Sequence, residues 1–263
     1  MRHSGGEDVM TDALDRQTNT EMEKVGYDIM EDVGDTYWWY QARREIIADV
    51  IARYVPNGER IIDFGSGNGA TAALLQDRGY RVVAADISPL ALDGCRRRGL
   101  DVIDLRSHSL PERAAECIIL ADVLEHVADD AGLLADIRRA SVPGGIVLAT
   151  VPAYQFLWSG EDHISRHYRR YRLPQLAMAM NKGGFELIWA SYYNTILLPA
   201  IIVVLLTKRV FRPSQIYKSD INPLGDGINN ILCRIFRAEG RILRHITFPF
   251  GASIIAVATA KNE

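Results

Sequence analysis

A doubly wound α/β sheet of mostly parallel strands is the fold class this sequence predicts, on three observations. From residue 61 onward, short apolar runs alternate with stretches of helical periodicity. One such run, Ile61-Ile62-Asp63-Phe64, passes straight into Gly65-Ser66-Gly67-Asn68-Gly69, and a second run ends on an acid, Asp86, seventeen residues beyond Gly69. Strands that are apolar on both faces and separated by helices imply parallel pairing through right-handed crossovers, with helices covering both sides of the sheet. A chain of 263 residues, 48% apolar and 24% charged, has ordinary globular composition and can bury one substantial core.

Each element follows in order. Residues 1–35 read as an acidic leader without periodicity, and 36–263 as a single domain. Asp35 or Thr36 is placed to cap a first helix, whose apolar face comprises Trp39, Ile46, Ile47, Val50, Ile51 and Tyr54, and Pro56-Asn57-Gly58 ends it. The spacing then predicts strand 61–64, helix 70–78, strand 81–85, helix 90–98 and strand 101–103. Next come strand 117–120, helix 130–140 and, after the turn Pro143-Gly144-Gly145, strand 146–151. A helix begins near Leu173, and strands 185–192 and 252–260 complete a seven-stranded sheet. The last two strands bracket a largely helical insertion, 194–248.

Charge is unevenly placed. The net charge of -3 gives no global pull toward nucleic acid, but residues 1–36 hold ten acids against three Lys or Arg, and 208–245 hold eight Lys or Arg against three acids. Cys95, Cys117 and Cys233 form no C-x-x-C pair, which argues against a disulfide framework or a zinc site and favours a reducing cytoplasm. No metal-ligand spacing is evident, and no basic stretch followed by an apolar core marks a secretory signal.

Chemistry concentrates at the glycine turn. Glycines allow positive φ and close backbone approach, and the helix that follows offers unpaired N-H groups. Asp86, at the end of the neighbouring strand, can accept hydrogen bonds from two ribose hydroxyls, so turn and acid together read as a nucleoside pocket. The plainer alternative is a tight connection with Asp86 capping the next helix. Because Gly65-Ser66-Gly67-Asn68-Gly69-Ala70 also satisfies G-x-G-x-x-A, an NAD(P)-dependent oxidoreductase is a rival, although no Tyr-x-x-x-Lys hydride-transfer set is evident. A second rival is a non-catalytic, membrane-associated nucleoside-binding module.

Two segments carry a family resemblance. Asp63 precedes the first glycine by two positions, and Asp122-Val123-Leu124-Glu125-His126-Val127 follows the fourth strand. Over residues 60–184 the chain thereby resembles the class I S-adenosylmethionine-dependent methyltransferases of small molecules, including ubiquinone-pathway O-methyltransferases, which implies a Rossmann-like methyltransferase fold and S-adenosyl-L-methionine as cofactor. The resemblance implies that Asp63, Gly65, Ser66, Gly67, Asn68 and Gly69 surround the methionine part. It puts Asp86 and Ile87 at the ribose and adenine edge, and Ala121 and Asp122 on the sulfonium side. It also expects an acid shortly after the third strand, near the adenine amine; Arg106 occupies that position, and Asp104 is the nearest acid.

In-line transfer of an already activated methyl asks the protein chiefly to align the acceptor, and a hydroxyl acceptor must also lose a proton. His126 is the first candidate base, with packing or capping as its bland alternative. Trp38-Trp39-Tyr40-Gln41-Ala42-Arg43 and His167-Tyr168-Arg169-Arg170-Tyr171 resemble the W-W-[FY]-x-x-R and H-x-R-R-Y elements of a bacterial subgroup associated with polysaccharide or lipid-linked glycan metabolism. That resemblance adds His167 and His163 as candidate bases. It adds Trp38, Arg43, Asp162, Arg169, Arg170 and Tyr171 as acceptor contacts, the arginines gripping a phosphate or carboxylate. The alternative is a solvated charged loop with Arg43 and Asp162 in an ordinary ion pair. Within the insertion, 196–206 is an apolar run too short to span a bilayer, and Ile228, Ile231, Leu232, Ile235, Phe236, Ile242 and Leu243 recur at helical spacing among arginines. Either the insertion contacts an anionic membrane from the cytoplasmic side and admits a lipid-linked acceptor, or it packs on the core or on a second copy.

Overall fold

The computed structural model describes residues 33–211, 221 and 224–261. Nearly all of the acidic leader and part of the insertion fall outside the described residues.

Seven strands, β1 (Arg60–Phe64), β2 (Arg81–Asp86), β3 (Asp101–Asp104), β4 (Ala115–Ala121), β5 (Ser141–Pro152), β6 (Phe185–Tyr193) and β7 (Ser253–Ala260), form one sheet in the order β3-β2-β1-β4-β5-β7-β6. The first five pair in parallel, and β7 runs antiparallel to both β5 and β6. Strand order reverses between β1 and β4, which opens a crevice at their carboxyl ends. Side-chain alternation explains why both faces are apolar. Ile62, Ile118 and Leu120 enter one core with Leu134, Ile137 and Phe185, while Ile61, Cys117 and Ile119 enter the other with Ile47, Ile51 and Phe236.

The described helices are α1 (Trp38–Tyr54), α2 (Ala70–Asp77), α3 (Pro89–Arg97), α4 (Asp130–Ala140), α5 (Gly160–Ile164), α6 (Leu173–Lys182), α7 (Leu198–Phe211) and α8 (Asp226–Leu243). Local chemistry sets several starts. The Ser88 side chain accepts from the Ala91 amide with Pro89 next in line, and Asp129 accepts from the Gly132 amide at 2.9 Å.

Two local expectations are corrected. Neither Asp35 nor Thr36 caps α1; Tyr37 occupies the cap position without a side-chain bond, because Asp35 is drawn away to Arg98 at 2.7 Å. Pro143-Gly144-Gly145 is not a turn ahead of β5 but a bulge within it. Ala115 pairs with Ser141 and Cys117 already with Ile146, the excess residues being taken up where Gly144 adopts φ 71°.

In the insertion, α8 packs along α1. Trp38 meets Phe236 edge-on at 5.8 Å, and Gly240 lets the helices close, since a Cβ there would lie 2.6 Å from Ile46 Cγ1. Two of the arginines expected to give α8 a membrane-facing charge are committed to α1 instead: Arg237 to Glu45 at 2.7 Å and Arg244 to Asp49 at 2.6 Å. The apolar face expected for this helix is also shifted, because Phe236 and Leu243 are buried while Ile228, Ile231 and Ile242 are exposed. No described helix is long and apolar enough to cross a membrane.

Candidate active site

A cavity of about 740 Å³ occupies the crevice at the carboxyl ends of β1, β2 and β4 and runs on beneath α7. Its floor is the glycine turn, where Gly65, Gly67 and Gly69 all take positive φ. Gly65 (φ 73°) and Gly69 (φ 78°) hold left-handed backbone, and a Cβ would lie 2.7 Å from Val123 Cγ2 at the first and 2.8 Å from Cys95 Sγ at the second. Asp86, 5% exposed, accepts from the amides of Gly67 at 2.9 Å and Ser88 at 2.8 Å, so the acid buttresses the turn itself. A carboxylate has about four acceptor positions, which leaves room for ribose hydroxyls. Asp63 is 1% exposed and takes the Ala72 amide in the first turn of α2, yet its Oδ1 has no partner. Burial, reinforced by Asp86, lifts its pKa to about 7. An orphaned acceptor on the cavity wall beside the turn suits a cationic group such as the cofactor's ammonium.

Ile87, Leu105, Ala121 and Asp122 also line the cavity. Asp104 and Arg106 bond each other in a two-pronged pair at 3.0 and 2.7 Å, so the acid nearest the expected adenine contact is already engaged, and the wall there is apolar. Asp122 holds left-handed backbone (φ 57°). Its carboxylate receives Arg43 Nη2 at 2.7 Å and the Thr150 hydroxyl at 2.9 Å, and Arg43 lies over the Trp39 ring at 4.9 Å.

The second cluster is organised by Asp162, which is wholly buried. It receives Arg170 through Nε at 2.8 Å and Nη2 at 2.7 Å, His167 Nδ1 at 2.8 Å and the Ser159 amide at 2.7 Å. Burial opposes its charge, but the bonds from His167 and Arg170 hold its carboxyl well below the usual range. His167 faces His126 ring edge to ring face at 4.5 Å. Burial, and secondarily His167, lowers the His126 pKa to about 3, leaving that imidazole neutral.

The cavity wall therefore contains every expected cofactor residue except Gly69, which packs behind the turn against Cys95 and Leu100, together with Trp38, Arg43, His126, Asp162, His167 and Arg170. His163, Arg169 and Tyr171 stand outside it. His163 accepts from Trp158 Nε1 at 3.1 Å; Arg169 pairs with Asp130 at 3.1 Å and bonds the Ala128 carbonyl; the Tyr171 hydroxyl donates to Asp130 at 2.7 Å from within the core. Arg169 and Arg170 form no joint anion clamp, because each guanidinium is already matched to a carboxylate. The Arg43–Asp162 pair of the alternative reading does not form: Arg43 meets Asp122 and Arg170 meets Asp162. Residues that sequence reasoning passed over include Tyr40, Leu105, Glu125 and Asn194, all on the wall. Glu125 and Asn194 carry buried oxygens without partners, a property no local pattern signals.

Fold and site together define an adenosyl-binding enzyme of the doubly wound class. A family model described as a methyltransferase domain matches residues 38–189, and the chain belongs to that family: it is an S-adenosylmethionine-dependent methyltransferase with S-adenosyl-L-methionine as cofactor. Among curated relatives, the ubiquinone biosynthesis O-methyltransferase of Xanthomonas axonopodis pv. citri is 28% identical over 160 residues, covering 52% of this chain and 67% of that protein. The malonyl-[acyl-carrier protein] O-methyltransferase of Serratia marcescens is 32% identical over 95 residues, covering 35% and 37%. Haemonchus contortus phosphoethanolamine N-methyltransferase 2, solved with S-adenosyl-L-methionine, shares the fold at a TM-score of 0.55 and 19% identity, covering 96% of this chain and 60% of that one. The nicotinamide and non-catalytic readings find no support among these likenesses.

Proposed function

We propose that the chain methylates a hydroxyl on the polar head of a lipid-linked, glycan-bearing acceptor, and that residues 36–263 act as one domain in which 194–248 receives the acceptor's apolar chain. One observation carries this reading: the cavity continues from the glycine turn, past His126 and His167, to Leu197, Ile201, Val204 and Leu205 of the insertion. A purely polar acceptor would leave that apolar arm unmatched, whereas an alkyl or prenyl chain gains from filling it. The curated relatives, named for ubiquinone biosynthesis and a malonyl-carrier substrate, are O-methyltransferases, which favours oxygen as the nucleophile.

The bound cofactor supplies a methyl on a positively charged sulfur. Asp63 and the turn from Gly65 to Gly69 would hold its methionine part, Asp86 its ribose, Ile87 with Leu105 its base, and Ala121 with Asp122 the sulfur side. Arg43, itself held by Asp122, and Trp39 wall the approach from α1, so that the acceptor oxygen is aligned on the methyl and water is kept out. His126 and His167 line the cavity beyond the turn, where they would meet the acceptor hydroxyl. Arg170 and Asp162 fix His167; His163, Arg169 and Tyr171 brace the loop from behind.

The exposed apolar side chains Val203, Leu206, Val210 and Phe211 on α7, beside Lys208 and Arg209, favour peripheral contact with an anionic bilayer from the cytoplasmic side, where such acceptors would reside. Mass spectrometry of lipid and glycan extracts with and without the gene tests the acceptor: a species lighter by one methylene should accumulate in the deletion strain, and identical extracts would refute the reading. Flotation with acidic liposomes at low and high salt tests the membrane contact, which fails if the protein stays behind under both conditions.

A further inference from the structure

We propose that Glu125, His126 and His167 form a binding site for a divalent transition-metal ion at the acceptor end of the cavity, resting on the hydroxyl-methylation reading above. One ligand atom from each residue lies within 4.8 Å of the other two, and all three residues line the cavity. Binding one ion at roughly 2.0–2.2 Å would draw these atoms closer together and turn the two rings, now edge to face, toward a common centre.

Three independent features of the surroundings match a metal site. Glu125 is wholly buried, and neither of its carboxylate oxygens has a partner beyond the residue's own amide. A buried carboxylate in that condition is costly unless something cationic meets it. Secondly, each imidazole is oriented by a bond to a neighbour. His167 Nδ1 faces the Asp162 carboxylate at 2.8 Å, and the His126 ring bonds the Ser165 carbonyl. Such outer partners fix the tautomer that presents a lone pair to a metal, and Asp162 is thereby a positioning residue. Thirdly, the three ligands arise from two segments, the turn after β4 and the loop after α5, joined by the Tyr168 amide donating to the Glu125 carbonyl at 2.7 Å. The backbone clamp holds the ligand set together before any ion arrives.

Two imidazoles and one carboxylate favour zinc, manganese, cobalt or ferrous ions over magnesium or calcium, which prefer all-oxygen sites. With only three protein ligands, coordination positions stay open toward the cavity. An acceptor hydroxyl oxygen that takes one of them loses its proton to solvent more readily, since a metal lowers the pKa of bound water from about 15.7 to about 7. The oxygen then forms its bond to the methyl carbon as the carbon–sulfur bond breaks and its electron pair returns to sulfur, giving a methyl ether and S-adenosylhomocysteine.

The test uses the full chain, stripped with a chelator and titrated with Co²⁺ while visible absorption and melting temperature are recorded, with Zn²⁺ as competitor and Mg²⁺ as control. The expected result is a single equivalent of Co²⁺ with ligand-field bands, displaced by Zn²⁺ and not by Mg²⁺. Binding should weaken by about tenfold or more in Glu125→Gln and in His167→Asn, with Asp162→Asn losing about 10–100-fold through the reoriented ring. Calorimetry with S-adenosylhomocysteine on the same samples checks folding, and the extract comparison above separates the two ideas: cofactor binding without cobalt bands in the wild type overturns the metal site alone, whereas cobalt bands with identical extracts from wild-type and deletion strains overturn the hydroxyl-methylation reading. Should Glu125→Gln fail to fold, His167→Asn decides, and wild-type cobalt affinity in that variant sinks the proposal.

Discussion

The two halves of the cleft are built in different ways. On the cofactor side, the turn and its acid are close in the chain: the Gly67 amide meets the Asp86 carboxylate across nineteen residues, and adjacent parallel strands bring them together. On the acceptor side the contacts span the molecule. The Trp38 amide meets Asn229 Oδ1 across 191 residues, Arg209 reaches the Trp158 carbonyl across 51, and Tyr168 bonds the Glu125 backbone. A backbone-defined pocket at a strand switch point tolerates little variation, because glycine conformation and amide positions set it. A pocket assembled by side chains from an insertion can be reshaped without touching the sheet. The comparison predicts that substitutions in the first half act on cofactor affinity and those in the second on the acceptor.

Breaking the halves apart is the sharpest test. Asp162→Asn removes the charge that matches Arg170 and His167 in a buried setting, and should cost about 3–5 kcal/mol of stability by denaturant titration while leaving S-adenosylhomocysteine affinity unchanged. An equal loss of cofactor affinity would show the halves to be one unit. Asp86→Ala should do the reverse, weakening cofactor binding by about 1–3 kcal/mol through unmatched ribose hydroxyls, as measured by calorimetry. Unchanged affinity would displace the ribose from this acid.

Acidity offers a subtler probe. Asp63 titrates near 7 in the folded protein against 3.8 for the ordinary group, so between these values the folded chain holds a proton that the unfolded chain has released. Its contribution to stability without cofactor therefore declines as pH rises from about 4 to 7. A cationic cofactor prefers the ionised acid, so affinity should fall as pH drops below 7, by as much as about 1.4 kcal/mol per unit, and Asp63→Asn should flatten that slope. The smallest effect is expected at Val204, 55% exposed at the mouth of the apolar arm. Val204→Asp should alter stability by less than about 0.5 kcal/mol. It should raise KM for a chain-bearing acceptor and leave a chainless analogue unaffected; equal KM changes for both would remove the apolar chain from the model of the acceptor.

How much of this was legible in the chain depends on the range of the interaction concerned. The strands at Ile61, Val82 and Ile118 could be read because burial on both faces leaves an unbroken apolar run, and the helix at Asp130 because its cap and period are local. Arg43 was read as an acceptor contact, with a pair to Asp162 as the alternative, and it lies beside Asp122, since which of several acids meets an arginine depends on where α1 crosses the sheet. Arg169 and Tyr171 sit in the same short motif as Arg170, yet face away from the cavity, because the chain turns within that motif as it enters the bridge between Ala153 and Tyr171.

The amino-acid order alone determined the sheet, the glycine turn with its neighbouring acid, and through them the adenosyl cofactor, because backbone conformation and side-chain periodicity act over a few residues. The tertiary structure decided the rest: which carboxylate each arginine meets, that α8 lies on α1, and that Glu125 and two histidines from separate segments come within 4.8 Å of one another on the cavity wall. These outcomes depend on packing between elements far apart in the chain, where the geometry of the whole core selects among partners that are chemically equivalent in sequence.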